Sequence, residues 1–252
     1  MDQAAFYGQQ EFNLPHDVVK LPSKGYFYKP KKESLKVGYL TASDENLLMS
    51  QNILNDGLIY NLLKNKIYEP GFDILSLLDV DVQALLIFLR NTSFGSEYEY
   101  TLIDPATKKT FDVTITVDEI NYIDSIHRPN ENGFFSYILP KSKKTVKFRL
   151  LNLGDMRELE KIDSQYPKGM IAPTITKRLE KNIIDIDGSD NKMEISKFIN
   201  QMPISDSKDL RRFIKACEPK LDLNKTVIAP SGEKVSFDVT FGVEFFRPFF
   251  EL

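Results

Sequence analysis

The tetrapeptide FDVT occurs twice in the chain, at residues 111–114 and 237–240. A strand motif this short recurs by accident, so its weight depends on its surroundings. Set against itself with a displacement of 125 residues (206 − 81), the sequence brings DVQALLIFLR, from Asp81, over DSKDLRRFIK, from Asp206. Leu85 falls on Leu210, Phe88 on Phe213, Leu89 on Ile214 and Arg90 on Lys215. The apolar i, i+3 and i+4 positions of a helix persist while its polar face drifts, as packing alone requires. The same displacement carries Thr101 onto Thr226, Ile103 onto Ile228, Pro105 onto Pro230 and Lys109 onto Lys234. One extra residue in the second copy then superposes the two FDVT segments.

Around each tetrapeptide the apolar residues alternate: Phe111, Val113, Ile115 and Val117 in one, Val235, Phe237, Val239 and Phe241 in the other. That period of two predicts a strand with one buried face. A turn, DPATKK or APSGEK, and a strand-like run, YEYTLI or LNKTVI, precede each, so each unit reads as a helix followed by a β-hairpin. Upstream, KVGYLTASDENLL from Lys36 echoes VKFRLLNLGDMREL from Val146, with Asp44 over Asp155 and Leu48 over Leu159. Both read as a strand, a capping residue and a helix that opens with acidic side chains suited to its dipole. The expected fold is α+β: two diverged copies of a module made of a strand, several helices and a β-hairpin, preceded by an extended N-terminal arm.

Boundaries follow from composition. Residues 1–20 are polar with no period and read as the arm. The first module spans 21–118, a connector 119–145 and the second module 146–252. In the connector, Pro129, Asn130, Asn132, Gly133 and Pro140 interrupt regular structure. Helices are expected in DENLLMSQNILNDGLIYNLLKNKI, with a break near Gly57, and in FDILSLL, DVDVQALLIFLR, GDMRELEKIDSQ, TITKRLEKNII, MEISKFINQ and SDSKDLRRFIKAC. In LPSKGYFYKPKK, Pro22, Gly25 and Pro30 make a turn-rich loop on which Tyr26, Phe27 and Tyr28 offer aromatic surface. Five of the last twelve residues are Phe, which suits either a closing strand or an aromatic interface.

Little in the chain announces chemistry. Two His and one Cys, far apart in sequence, cannot build a Cys/His cage, and DIDGSDN from Asp185 lacks the terminal Glu of a calcium loop. His16 in the arm and His127 in the connector stand without a nucleophile elbow. No phosphate-binding glycine loop appears. The paired carboxylates Asp79 and Asp81, or Glu158 and Glu160, and the basic pairs Lys31 and Lys32, Lys143 and Lys144, and Arg211 and Arg212 read as helix ends and solvated faces. Catalytic, metal and cofactor sites are therefore all read as none. With 33 Lys and Arg against 36 Asp and Glu, no global field draws the chain to nucleic acid. A lone cysteine, Cys217, and the lack of a signal peptide or an eighteen-residue apolar run point to a cytoplasm and away from a membrane.

A particular set of residues resembles a known family. Pro22, Ser23, Lys24, Gly25 and Tyr28; Thr41, Asp44, Glu45 and Leu48; Arg90, Ser93, Gly95 and Tyr98; and Phe245, Phe246 and Pro248 are similar, in order and spacing, to the motifs of the baseplate hub family of T-even-type contractile-tailed phages. Many members of that family carry a C-P-x-C-like knuckle in the hairpin turns. This chain has IDPATKK and IAPSGEK there, so a metal knuckle is out and the prolines retain only the turn geometry. The resemblance implies a structural, non-enzymatic component of the tail baseplate, assembled in the host cytoplasm into the virion through contacts with other baseplate or tail proteins. A homo-oligomeric ring is compatible with that role. Two rivals remain: an assembly chaperone or catalyst absent from the mature virion, and a non-phage adaptor module. The candidate partner interface comprises Pro22, Lys24, Gly25, Tyr26, Phe27, Tyr28, Phe245, Phe246, Pro248 and Phe249.

Overall fold

A computed structural model describes residues 15–48, 55–117, 121–166 and 172–239. Strands β1 (His16–Lys20) and β2 (Ser34–Gly38) form an antiparallel pair, followed by helices α1 (Ala42–Leu48) and α2 (Asn55–Lys66), a 3-10 turn at Ile74–Ser76 and helix α3 (Asp79–Phe94). The hairpin β3 (Glu97–Ile103) and β4 (Thr110–Thr116) comes next. Then come β5 (Tyr122–Ile123), β6 (Phe135–Ile138), β7 (Thr145–Phe148), α4 (Leu153–Ser164), α5 (Thr174–Asn182), β8 (Ile183–Ile186), α6 (Lys192–Gln201) and α7 (Ile204–Cys217). A short β9 (Lys220–Leu221) precedes the hairpin β10 (Asn224–Ile228) and β11 (Lys234–Asp238). Strands β6, β7 and β8 make a three-stranded sheet and β5 pairs with β9, all antiparallel. Among the described residues the fold is thus α+β, with seven α-helices and small antiparallel sheets.

Helix α3 is apolar on nearly every side, and Val80, Val82, Ala84, Leu85, Leu86, Ile87 and Leu89 are all buried, so it lies within the core rather than on it. One continuous apolar cluster joins both halves of the chain, from Leu35 and Leu63 to Phe148, Ile199 and Leu210. Backbone contacts stitch the halves as well: the Leu153 N–H donates to the Leu77 carbonyl at 2.8 Å, and Leu78 bridges Asn152. Residues 16–20, expected in the arm, form a strand of the first sheet. The expected connector supplies β5 and β6, whose partners lie in the second half.

Three expected helices differ. In place of the expected break, α2 runs unbroken through Gly57. FDILSLL forms a single 3-10 turn, capped by the Asp73 carboxylate on the Leu75 N–H at 3.0 Å, because Leu77 and Leu78 turn extended. The end of TITKRLEKNII leaves the helix at Asn182 and becomes β8, where Ile183 and Ile186 are buried and the strand pairs with β7.

Phe111–Thr114 lie in β4 and Phe237–Asp238 in β11, but not at matching positions. Phe111 faces Leu102, one pair in from the closing pair Ile103 and Thr110. Phe237 faces Lys225, three pairs in from Ile228 and Lys234. The turn of residues 229–233 is one residue shorter than that of 104–109, so with the turns matched Phe237 corresponds to Val113. A slip of two residues keeps both rings on the inward face, which is why alternation alone did not reveal it.

Candidate partner interface

The loop between β1 and β2 is held from below. The Asp81 carboxylate, in the first turn of α3 and fully buried, accepts the Ser23 N–H at 2.9 Å and the Tyr28 hydroxyl proton. That hydroxyl accepts the Leu78 N–H at 3.1 Å, and the Tyr28 ring meets Phe72 edge-on with centroids 5.6 Å apart. Burial pushes the Asp81 carboxyl above the usual carboxylate range, which the hydrogen bonds from Ser23 and Tyr28 only partly counter. Burial and the neighbouring Asp81 likewise push the Tyr28 phenol up. Gly25 has φ +68°, and a Cβ there would stand 2.3 Å from the Lys32 carbonyl oxygen, so the returning strand of the loop requires glycine.

These contacts divide the sequence candidates. Pro22, Gly25 and Tyr28 face inward. The reading of Tyr28 as surface is corrected, because its hydroxyl is the partner of a buried carboxylate. Phe27 is half-buried against Phe135, with centroids 6.1 Å apart. Lys24 and Tyr26 remain at the surface: Tyr26 is 42% exposed with the Lys31 ammonium 4.9 Å from its ring centre, and Lys24 pairs with Asp124 at 2.6 Å. Phe245, Phe246, Pro248 and Phe249 lie outside the described residues.

The structure adds residues that the sequence reading treated as connector. Tyr122 and Ile126 are 50% and 84% exposed and adjoin the Lys24 and Tyr26 loop, and Ile123 between them in sequence is 57% exposed. Between the two segments runs a groove of about 270 Å³, walled by Pro22, Tyr26, Phe27, Ile126, Pro129 and Pro219. The Ser125 hydroxyl fixes its far wall with its one proton shared between the carbonyls of His127 at 2.7 Å and Ala216 at 3.2 Å. Isolated aliphatic residues in INYIDSI, a stretch with no helical or strand period, were the available signal.

The hairpin turns are tied to each other, which Pro105 and Pro230 alone do not accomplish. The Asp104 carboxylate accepts the Ala106 and Thr107 N–H groups at 2.9 and 3.3 Å within its own turn. It also accepts the Ser231 hydroxyl and N–H at 2.8 and 3.2 Å from the other. Burial opposes its charge, but these donors outweigh it and hold the carboxyl below its usual range. Tyr100 packs on Phe237 behind this clasp, with centroids 5.1 Å apart.

The residues weighed for catalysis sit in structural surroundings. His127 packs on Phe213 with the rings tilted and centroids 4.5 Å apart, and His16 meets Tyr68 edge-on at 5.9 Å. Burial pushes the Cys217 thiol up to about 12, far from a reactive thiolate. Among the described residues no group of three or more His, Cys, Asp or Glu is gathered for a metal, and no helix is long and apolar enough to cross a membrane.

No curated protein and no solved structure gives a significant match to the chain. A family model described as "T4 bacteriophage base plate protein" matches residues 16–247, which include β1, the anchored loop, both hairpins and every described helix. The chain therefore belongs to the T4 bacteriophage base plate protein family.

Proposed function

We propose that this chain is a structural component of the hub region of a phage tail baseplate, present in the mature virion, and that it binds its neighbours through the face carrying Lys24, Tyr26, Tyr122, Ile123 and Ile126. Family membership implies a structural baseplate role, contacts with other tail or baseplate proteins, and a family generally without enzymatic activity. The observation that carries the finer reading is the anchored loop: Asp81, Tyr28 and Gly25 hold its inner side rigidly while Tyr26 is presented outward beside exposed aliphatic residues. Exposed aromatic and aliphatic side chains on a pre-organised support are what a partner surface buries at low entropic cost.

The internal duplication belongs to the same proposal. It is supported by the order α3, β3, β4 against α7, β10, β11, and by Asp81 and Asp206, each of which holds a hairpin loop from a helix first turn. Two modules, 21–118 and 146–252, would then flank the 119–145 connector.

Quantitative mass spectrometry of purified particles tests the structural role. Stoichiometric presence is expected; absence would replace this reading with that of a transient assembly factor.

A further inference from the structure

We propose that the groove between the Tyr26 loop and residues 124–129 takes an extended segment of a neighbouring baseplate protein that presents an aliphatic side chain followed by a carboxylate. The inference rests on the interface reading above and adds the chemistry of the partner.

At about 270 Å³ the groove has room for one or two side chains from an adjoining surface. Its walls set the rings and prolines of Pro22, Tyr26, Phe27 and Pro129 beside polar side chains such as Ser23, His127 and Arg128, so an entering side chain meets apolar packing at the Tyr26 and Ile126 edge and hydrogen-bonding groups beyond it. An aliphatic group between Tyr26 and Ile126 suits that edge.

Charge fixes the second element. Around the groove Lys24 is neutralised by Asp124 at 2.6 Å, and Lys31 by Glu33 at 2.5 Å. Arg128 lines the groove, is exposed and, among the described residues, has no carboxylate within ion-pair distance. The rim thus keeps one uncompensated guanidinium, whose planar donor fork matches a carboxylate. Both walls are fixed beforehand, one by Asp81 and the other by Ser125, so a bound segment has little of this chain to order.

The test replaces Ile126 with the photoreactive p-benzoylphenylalanine in the full chain, irradiates cells during productive infection and sequences the cross-linked peptides. The expected product is a single heteromeric cross-link to a baseplate protein, within a few residues of an Asp or Glu. Arg128→Glu should lower its yield about tenfold, the effect of roughly 1.4 kcal/mol, without changing the melting temperature. A cross-link to a second copy of this chain, to a segment without a nearby acid, or none at all would overturn the proposal, as would a yield indifferent to Arg128→Glu. Particle composition reports separately: a chain absent from virions but cross-linked to an acidic segment during assembly retains the groove and loses the structural role. A stoichiometric chain with no such cross-link does the reverse.

Discussion

Asp81 and Asp206 each reach from the first turn of a helix to the backbone of a hairpin loop. Asp81 accepts the Ser23 N–H at 2.9 Å, and Asp206 accepts the Lys141 and Ser142 N–H groups at 2.8 and 2.9 Å. The loops they hold begin alike, with Leu21 and Pro22 in one and Leu139 and Pro140 in the other, and both leucines are buried. The first loop then carries the longer insertion that presents Tyr26, and its carboxylate takes a tyrosine hydroxyl in place of a second amide. One support serves two loops, and the difference between them lies where the partner face is proposed.

That difference predicts opposite pH behaviour. Burial disfavours the charge on both, but the two amides outweigh it at Asp206, whose carboxyl is held low, whereas at Asp81 burial prevails and the carboxyl is held high. A lowered group contributes stability above the unfolded carboxylate value, near 3.9, and loses it as pH falls through the folded value. A raised group contributes below that value and loses its contribution as pH rises through the folded one. From pH 4 to pH 7, Asp81→Asn should therefore gain in melting temperature relative to the parent. Asp206→Asn should fall behind, by about 1 kcal/mol at pH 7. Parallel profiles for the two variants in thermal denaturation would refute the assignment.

Tyr26 and Tyr28, two residues apart, should separate folding from assembly. Tyr28→Phe strips a donor from buried Asp81 and an acceptor from the Leu78 N–H, at a cost of about 1–3 kcal/mol in denaturant unfolding. Tyr26→Ala should change stability by less than about 0.5 kcal/mol and instead lower the incorporation of the protein into particles.

Glycines at positive φ should differ in what they tolerate. Gly25→Ala drives a Cβ into the Lys32 backbone and should cost at least about 3 kcal/mol, whereas Gly95→Ala meets open space and should cost only the backbone strain of about 1–2 kcal/mol. Equal losses in urea unfolding would mean that the close approach is relieved by loop movement.

Lys66 and Asp44 form an ion pair with both side chains 5% exposed, and the Asp44 carboxylate also accepts the Thr41 N–H and hydroxyl at 2.7 and 2.6 Å. Lys66→Met leaves that carboxylate buried without its cation and should cost about 3–5 kcal/mol. Adding Asp44→Asn should recover at least about 1 kcal/mol of the loss. A simply additive double variant, measured by denaturant titration, would exclude the coupling.

The sequence was most legible where one face is buried and the period is regular. Strands β3, β4, β10 and β11 and the helices α3, α4 and α7 stand close to where apolar spacing puts them. It was least legible where identity does not depend on direction. Tyr26 and Tyr28 are the same residue type in one loop, and only the distant Asp81 turns the second inward. FDILSLL has helical composition, yet Leu78 is held extended against Asn152, a partner in the other half. Ile126 has no periodic neighbours, so nothing in the chain near it reports that it stays exposed.

The Asp104 and Ser231 clasp has a consequence for synthesis. Its two ends are 127 residues apart, and hairpin β3 and β4 rests its inner face on β11 through Tyr100 and Phe237. Translation delivers the first hairpin long before its cover, and such distant contacts form slowly. Until residue 237 has been made, 137 residues after Tyr100, Tyr100 has no Phe237 to pack against. A stalled ribosome or a truncated product would therefore present an uncovered aromatic sheet, and quality control acting on that surface would discard incomplete chains before they reached a baseplate.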